Sequence, residues 1–202
     1  MKIKICGLNI ARDVQLCIDL KVNFLGFIFY KKSPRNINLE EIKKLSNFNK
    51  KNSSFVAVTV DPTDKFIKEN LLGNFEYIQL HGSEKTERVK EIKSMGFKVI
   101  KAIKVKEERD IDKYKEFNNA DIILFDTPGM EKSLEFPKSL ITKLPLGEKY
   151  ALAGSVSEDN VQILNKLGVN FFDLSSSLEN QLGYKDHRKI EKFVNKINEL
   201  KD

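Results

Sequence analysis

With 202 residues, 41% hydrophobic and 32% charged, the chain has the composition of a soluble globular protein with one sizeable core, and no apolar run is long enough to span a bilayer. The net charge of +6 would suit anionic partners, nucleic acid included, but the lysines are scattered among glutamates on helical faces, as in KEERDIDKYKEF, and read as solvated surface, so no nucleic-acid partner is expected. Lys2 and Lys4 interrupt the opening apolar residues, leaving no signal-peptide pattern; a cytoplasmic protein with no membrane partner is expected.

In chain order, the first strand candidate is KIKIC (2–6), ending in Cys6 and followed by Gly7. Side chains alternate along a strand, so Ile3 and Ile5 share one face and Lys4 and Cys6 the other, with Lys4 placed to lower the thiol pKa from inside a barrel. ARDVQLCIDL has apolar residues at helical spacing and carries Cys17 on its apolar face; the two cysteines are spaced for neither zinc nor a disulfide. Strand candidates NFLGFIFY (23–30), SSFVAVTV (53–60), YIQLHG (77–82), KVIKAIKV (98–105), DIILFDT (121–127), KYALAG (149–154) and NFFDLSS (170–176) follow. Between them lie the helical stretches LEEIKKLSNF, EKTERVKEIKSMG, SEDNVQILNKLG and DHRKIEKFVNKINEL. Glycines are read as closing helices at Gly26, after a short link, and at Gly96 and Gly168. Repeated strand–helix alternation with no linker predicts a single (β/α)8 barrel over residues 1–202, an α/β fold; the alternative is a flavodoxin-like open sheet.

In such a barrel, chemistry belongs at the C-terminal strand ends. Cys6 there is either a small buried hydrophobe or a nucleophile or base. Asp126 ends an otherwise apolar strand, where a carboxylate serves as general acid or caps the next loop. His81 in QLHG binds, polarises or shuttles a proton, or is a hydrogen-bonded rim residue. His187, at the charged start of the last helix, reads as surface. A lone rim histidine argues against a multi-histidine metal site. Arg35 in KSPRNI is a fork suited to a carboxylate, or a surface arginine beside a turn proline. The turns LAGSVSEDN and DLSSSLENQLG, with Gly154, Ser155, Ser176 and Ser177, occupy the loop pair that commonly holds phosphate in barrels.

Taken in order, KIKICGLN, GFIFYKKSPRNI, QLHGSE, LFDT, LAGSVSEDNV and DLSSSLENQLGYKD resemble the signature segments of the phosphoribosylanthranilate isomerase family, and the resemblance covers nearly the whole chain. It implies a cofactor-free and metal-free Amadori rearrangement of N-(5-phosphoribosyl)anthranilate in tryptophan biosynthesis. It further implies Cys6 as general base, Asp126 as general acid, and Arg35 facing the anthranilate carboxylate. The QLHG segment, with His81 and Gly82, would form a wall of the site, and Gly154, Ser155, Ser176 and Ser177 the phosphate loops. A monomer is expected, a dimer being the alternative. Three loops depart from the family pattern: DTPGMEKSLEF replaces a Gly-Gly-Thr-Gly loop, Ala153-Gly154-Ser155 a two-glycine turn, and Ser175-Ser176-Ser177 a Ser-Ser-Gly turn. A metal-dependent epimerase barrel and a catalytically silent anion-binding barrel are the competing readings.

Overall fold

The computed structural model describes residues 1–45, 47–129, 136–154 and 156–201. Eight parallel strands close into a barrel in sequence order: β1 (Lys2–Cys6), β2 (Phe24–Phe29), β3 (Ser54–Thr59), β4 (Tyr77–Leu80), β5 (Lys98–Lys104), β6 (Ile122–Asp126), β7 (Tyr150–Leu152) and β8 (Phe171–Leu174). Registers Cys6↔Gly26 and Lys4↔Asp173 set β1 between β2 and β8. The helices are α1 (Ala11–Asp19), α2 (Leu39–Leu45), α3 (Asp64–Phe66), α4 (Thr86–Ser94), α5 (Glu108–Ile111), α6 (Lys138–Ile141), α7 (Val161–Lys166) and α8 (His187–Glu199). A hairpin, β9 (Glu179–Gln181) with β10 (Tyr184–Lys185), stands between β8 and α8. None of the described helices is long and apolar enough to cross a membrane.

Strand alternation splits the core in two. Ile3, Ile5, Leu25, Phe27, Phe55 and Val99 face outward into the layer shared with the helices. Cys6, Phe24, Val56, Val58, Ile100, Leu124 and Phe171 fill the barrel interior, with Phe24 stacked on Phe171 at 5.1 Å between centroids. The sequence pattern therefore assigned β1 correctly: isoleucines out, Lys4 and Cys6 in.

Three differences from the sequence reading have local causes. Helices absent from the sequence reading follow β3 and β6: α3 has three residues before a π-helical turn, Ile67–Leu71, and α6 has four, so neither shows a regular helical period, whereas α5 lies within KEERDIDKYKEF and continues as a 3-10 helix, Asp112–Phe117. Gly26 closes no helix. It lies inside β2, where an added Cβ would sit 3.1 Å from Cys6 Sγ and 3.2 Å from Lys4 Nζ, so its absent side chain makes room inside the barrel. The residue that leaves α1 in the left-handed region is Lys21, at φ 58°. His187 is also more than surface: its Nε2 lies 2.7 Å from Oδ1 of Asp13, which is 1% exposed, tying α8 to α1.

Cys17, fully buried on α1, makes a stability prediction. Burial, with Asp13 nearby, pushes its thiol from 9.0 up to about 12. Below pH 9 both folded and unfolded states hold the proton. Between pH 9 and 12 the unfolded chain releases it and the folded chain does not, so stability falls as pH rises. Chemical denaturation at pH 8 and pH 10.5 should therefore show a loss that is smaller in Cys17→Ala, whose stability difference from the parent narrows on going alkaline. A difference that does not narrow would remove Cys17 from the account.

Candidate active site

The C-terminal strand ends open onto one cavity of about 620 Å³. Cys6, Arg35, His81, Gly82, Asp126, Gly154, Ser176 and Ser177 all line it, and Ser155 lies outside the described residues. The volume suits a ligand of phosphosugar-plus-ring size. Among the described residues no group of three or more His, Cys, Asp or Glu is arranged to hold a metal ion.

Cys6 ends β1 with 7% of its surface exposed. Gly7 follows at φ 78°, a left-handed conformation, and a Cβ there would lie 2.6 Å from Arg35 Cδ. The glycine after the cysteine thus both turns the chain and lets the Arg35 stem pack against it. Burial pushes the Cys6 thiol above its ordinary value; the Lys4 and Lys185 cations pull it back and Asp173 adds to the rise. Lys4 donates to both Asp173 oxygens at 3.0 and 2.9 Å inside the barrel. Burial opposes charge on both partners. In Lys4 the attraction of Asp173 and Cys6 prevails and its pKa is raised; in Asp173 burial prevails over Lys4 and its carboxyl is raised too. Lys4 does pull the thiol pKa down, as its position in β1 predicts, but burial outweighs it, and Asp173 offsets its charge.

Across the cavity, Asp126 ends β6 with its side chain 13% exposed. His81 Nε2 is 3.2 Å from Asp126 Oδ2, and Gln79 Nε2 is 3.2 Å from His81 Nδ1. The amide donates to Nδ1, which places the imidazole proton on Nε2, where it donates to Asp126. A histidine expected as a wall residue therefore grips the candidate acid. Gly82 holds the turn that carries it: its N–H donates to Glu84 at 3.0 Å and its carbonyl accepts from Lys101 Nζ at 3.0 Å.

Arg35 is not on the surface. It is 3% exposed, with Nε and Nη2 donating to the two Glu179 oxygens at 2.6 and 2.8 Å. After β8, Ser176 and Ser177 begin a single 3-10 turn, Ser176–Leu178, and Gly154 takes φ 99° after β7. Ser175 instead ties the loop to the thiol strand, its Oγ donating to the Cys6 carbonyl at 3.2 Å. Sequence reasoning assigned no role to Gln79, Glu179 or Lys185. Gln79 was legible from its strand parity with His81; the other two sit in the polar stretch LENQLGYKD, which carries no local sign of burial.

Comparison with known proteins was consistent from all sides. The family model for N-(5'-phosphoribosyl)anthranilate (PRA) isomerase matches residues 3–196. The N-(5'-phosphoribosyl)anthranilate isomerase of Sulfurihydrogenibium sp. (strain YO3AOP1) is 36% identical over 203 residues, covering 96% of this chain and 97% of that protein. The enzyme of the same name from Aquifex aeolicus (strain VF5) is 37% identical over 212 residues, with 96% and 97% covered. A crystal structure of phosphoribosyl anthranilate isomerase in complex with reduced 1-(o-carboxyphenylamino)-1-deoxyribulose 5-phosphate is 27% identical, covers 98% of this chain and 99% of its own, and superposes with a TM-score of 0.85.

Proposed function

We propose, from the premise that the chain belongs to the N-(5'-phosphoribosyl)anthranilate isomerase family of tryptophan biosynthesis, that its rearrangement runs on Cys6 as general base and Asp126 as general acid. The observation that carries this reading is that a thiol ending β1 and a carboxylate ending β6 line one cavity, along with the Arg35 fork.

The chemistry needs one proton delivered and one removed. Asp126, protonated, gives its proton to the furanose ring oxygen as the C1–O bond breaks, and the anilino nitrogen lone pair forms the C1=N bond of the open Schiff base. Cys6 as thiolate then takes the C2 proton. The C2–H electrons form a C1=C2 bond as the C1=N π pair returns to nitrogen, giving the enolamine, which relaxes to the aminodeoxyribulose by protonation at C1 and loss of the C2 hydroxyl proton. The Nε2–H of His81 holds the Asp126 carboxylate in one orientation between turnovers. Arg35 faces the anthranilate carboxylate, and the backbone of Gly154, Ser176 and Ser177 cradles the phosphate. Ser177, which stands where the family has glycine in the turn after β8, lines the cavity.

The test is conversion of phosphoribosylanthranilate generated in situ, followed as loss of anthranilate fluorescence, with EDTA present. Conversion should proceed; a folded protein that gives none would overturn the reading. Under the same assay Arg35→Met should cut kcat/KM about ten- to hundredfold, because a desolvated charge-assisted contact is worth about 1.5–3 kcal/mol. Unchanged kinetics would leave Arg35 as a structural partner of Glu179 only.

A further inference from the structure

One buried ionic cluster is unused by the reaction as written, and it lies directly behind Arg35. The carboxylate of Glu179, the first residue of β9, accepts from Arg35 Nε at 2.6 Å, Arg35 Nη2 at 2.8 Å, Lys185 Nζ at 2.8 Å and the Gly183 N–H at 3.1 Å. The Arg35, Glu179 and Lys185 side chains are 4%, 5% and 0% exposed. Lys185 Nζ also donates to the Ser175 carbonyl at 3.0 Å, so the cluster is pinned to the loop after β8.

Two physical consequences follow. A guanidinium is planar, and a bidentate carboxylate on its Nε–Nη2 edge fixes that plane and the direction of the remaining edge. Arginine side chains are otherwise rich in rotamers, and a loose fork binds a second carboxylate with an entropy cost. Glu179 is itself held in place: Lys185 Nζ and the Gly183 N–H both donate to its carboxylate, and Lys185 ties it to the loop after β8. Glu179 is ionised for this purpose: burial pushes its carboxyl up, but Arg35, Lys185 and the Gly183 N–H hold it below the ordinary glutamate value.

We propose that Glu179 is a positioning residue that fixes the Arg35 guanidinium for the substrate's ring carboxylate, with Lys185 bracing the Glu179 carboxylate. The inference rests on the assignment of Arg35 to that carboxylate under Proposed function.

The experiment is titration calorimetry on the parent, Arg35→Met, Glu179→Gln and the double variant. Two probes are compared: reduced 1-(o-carboxyphenylamino)-1-deoxyribulose 5-phosphate and its counterpart lacking the ring carboxyl. Glu179→Gln should weaken the carboxylate-bearing probe by about tenfold or more, the scale of one charge-assisted hydrogen bond, and leave the other probe nearly unchanged. In the double variant the discrimination should be no worse than in Arg35→Met alone. Equal weakening of both probes by Glu179→Gln, or no weakening of either, overturns the proposal. Discrimination lost in Arg35→Met but kept in Glu179→Gln overturns it while sparing the Arg35 assignment; discrimination kept in Arg35→Met overturns both. Should Glu179→Gln not fold, Lys185→Met carries the test, with carboxylate-selective weakening expected and non-selective or absent weakening overturning the proposal.

Discussion

Cys6→Ser is expected to lower kcat about 10²–10⁴-fold with little change in product affinity, because it removes a proton acceptor and leaves the docking surface in place. Serine matches the thiol in size and fits the space left by Gly26, but its hydroxyl ionises far above the neutral range. The pH dependence adds a sharper signature. Burial raises the Cys6 thiol above 9.0, against the pull of Lys4 and Lys185, so in the unliganded enzyme the protonated form predominates at neutral pH. An acid with a raised pKa gives up its proton only as pH climbs further. The parent kcat/KM should therefore still be rising at pH 8 and beyond, and Cys6→Ser should lose this limb. Steady-state kinetics from pH 6 to 9.5, with circular dichroism to establish folding, make the measurement. A serine variant with near-parental kcat would return Cys6 to the role of a small interior residue and leave the cavity without an assigned base.

Asp126→Asn should produce a loss of similar size, about 10²–10⁴-fold in kcat. Asparagine keeps the shape and can still accept from His81 Nε2, so the hydrogen bond at 3.2 Å has a replacement and the imidazole stays in position. What disappears is the exchangeable acid proton for the ring oxygen. Binding of the reduced product analogue, which needs no proton transfer, should survive. If acid and base act on one reaction path, Cys6→Ser combined with Asp126→Asn should cost much less than the product of the single losses. An asparagine variant with parental kcat would leave Asp126 as a partner for His81 and nothing more.

Much of this site was legible in the chain because catalytic groups in a barrel occupy one kind of place. Cys6, Asp126 and His81 stand out at or just beyond strand ends in otherwise apolar runs, and all three line the same cavity. Arg35 was legible as a fork but not as a buried one. A residue beside a turn proline looks solvated until the β9–β10 hairpin is laid over it. Helices α3 and α6 escaped for a different reason, since three or four α-helical residues cannot display a 3.6-residue period.

Local chemistry alone determined the alternation of strands and helices, the inward face of β1, and the residue types available at the rim. These are properties of neighbouring residues, written in periods of two and 3.6. Only the tertiary structure decided which charges meet and which are buried. Lys4 and Asp173 are 169 residues apart, Arg35 and Glu179 144, and Asp13 and His187 174. Lys4 reads as inward by strand parity and Arg35 as a carboxylate fork, but nothing local to any of these groups names its partner. Barrel closure brings β8 against β1, and the chain after β8 then covers Arg35 and Asp13, removing water from both. Once desolvated, a charge requires a partner, and that requirement has no local period from which it could be read.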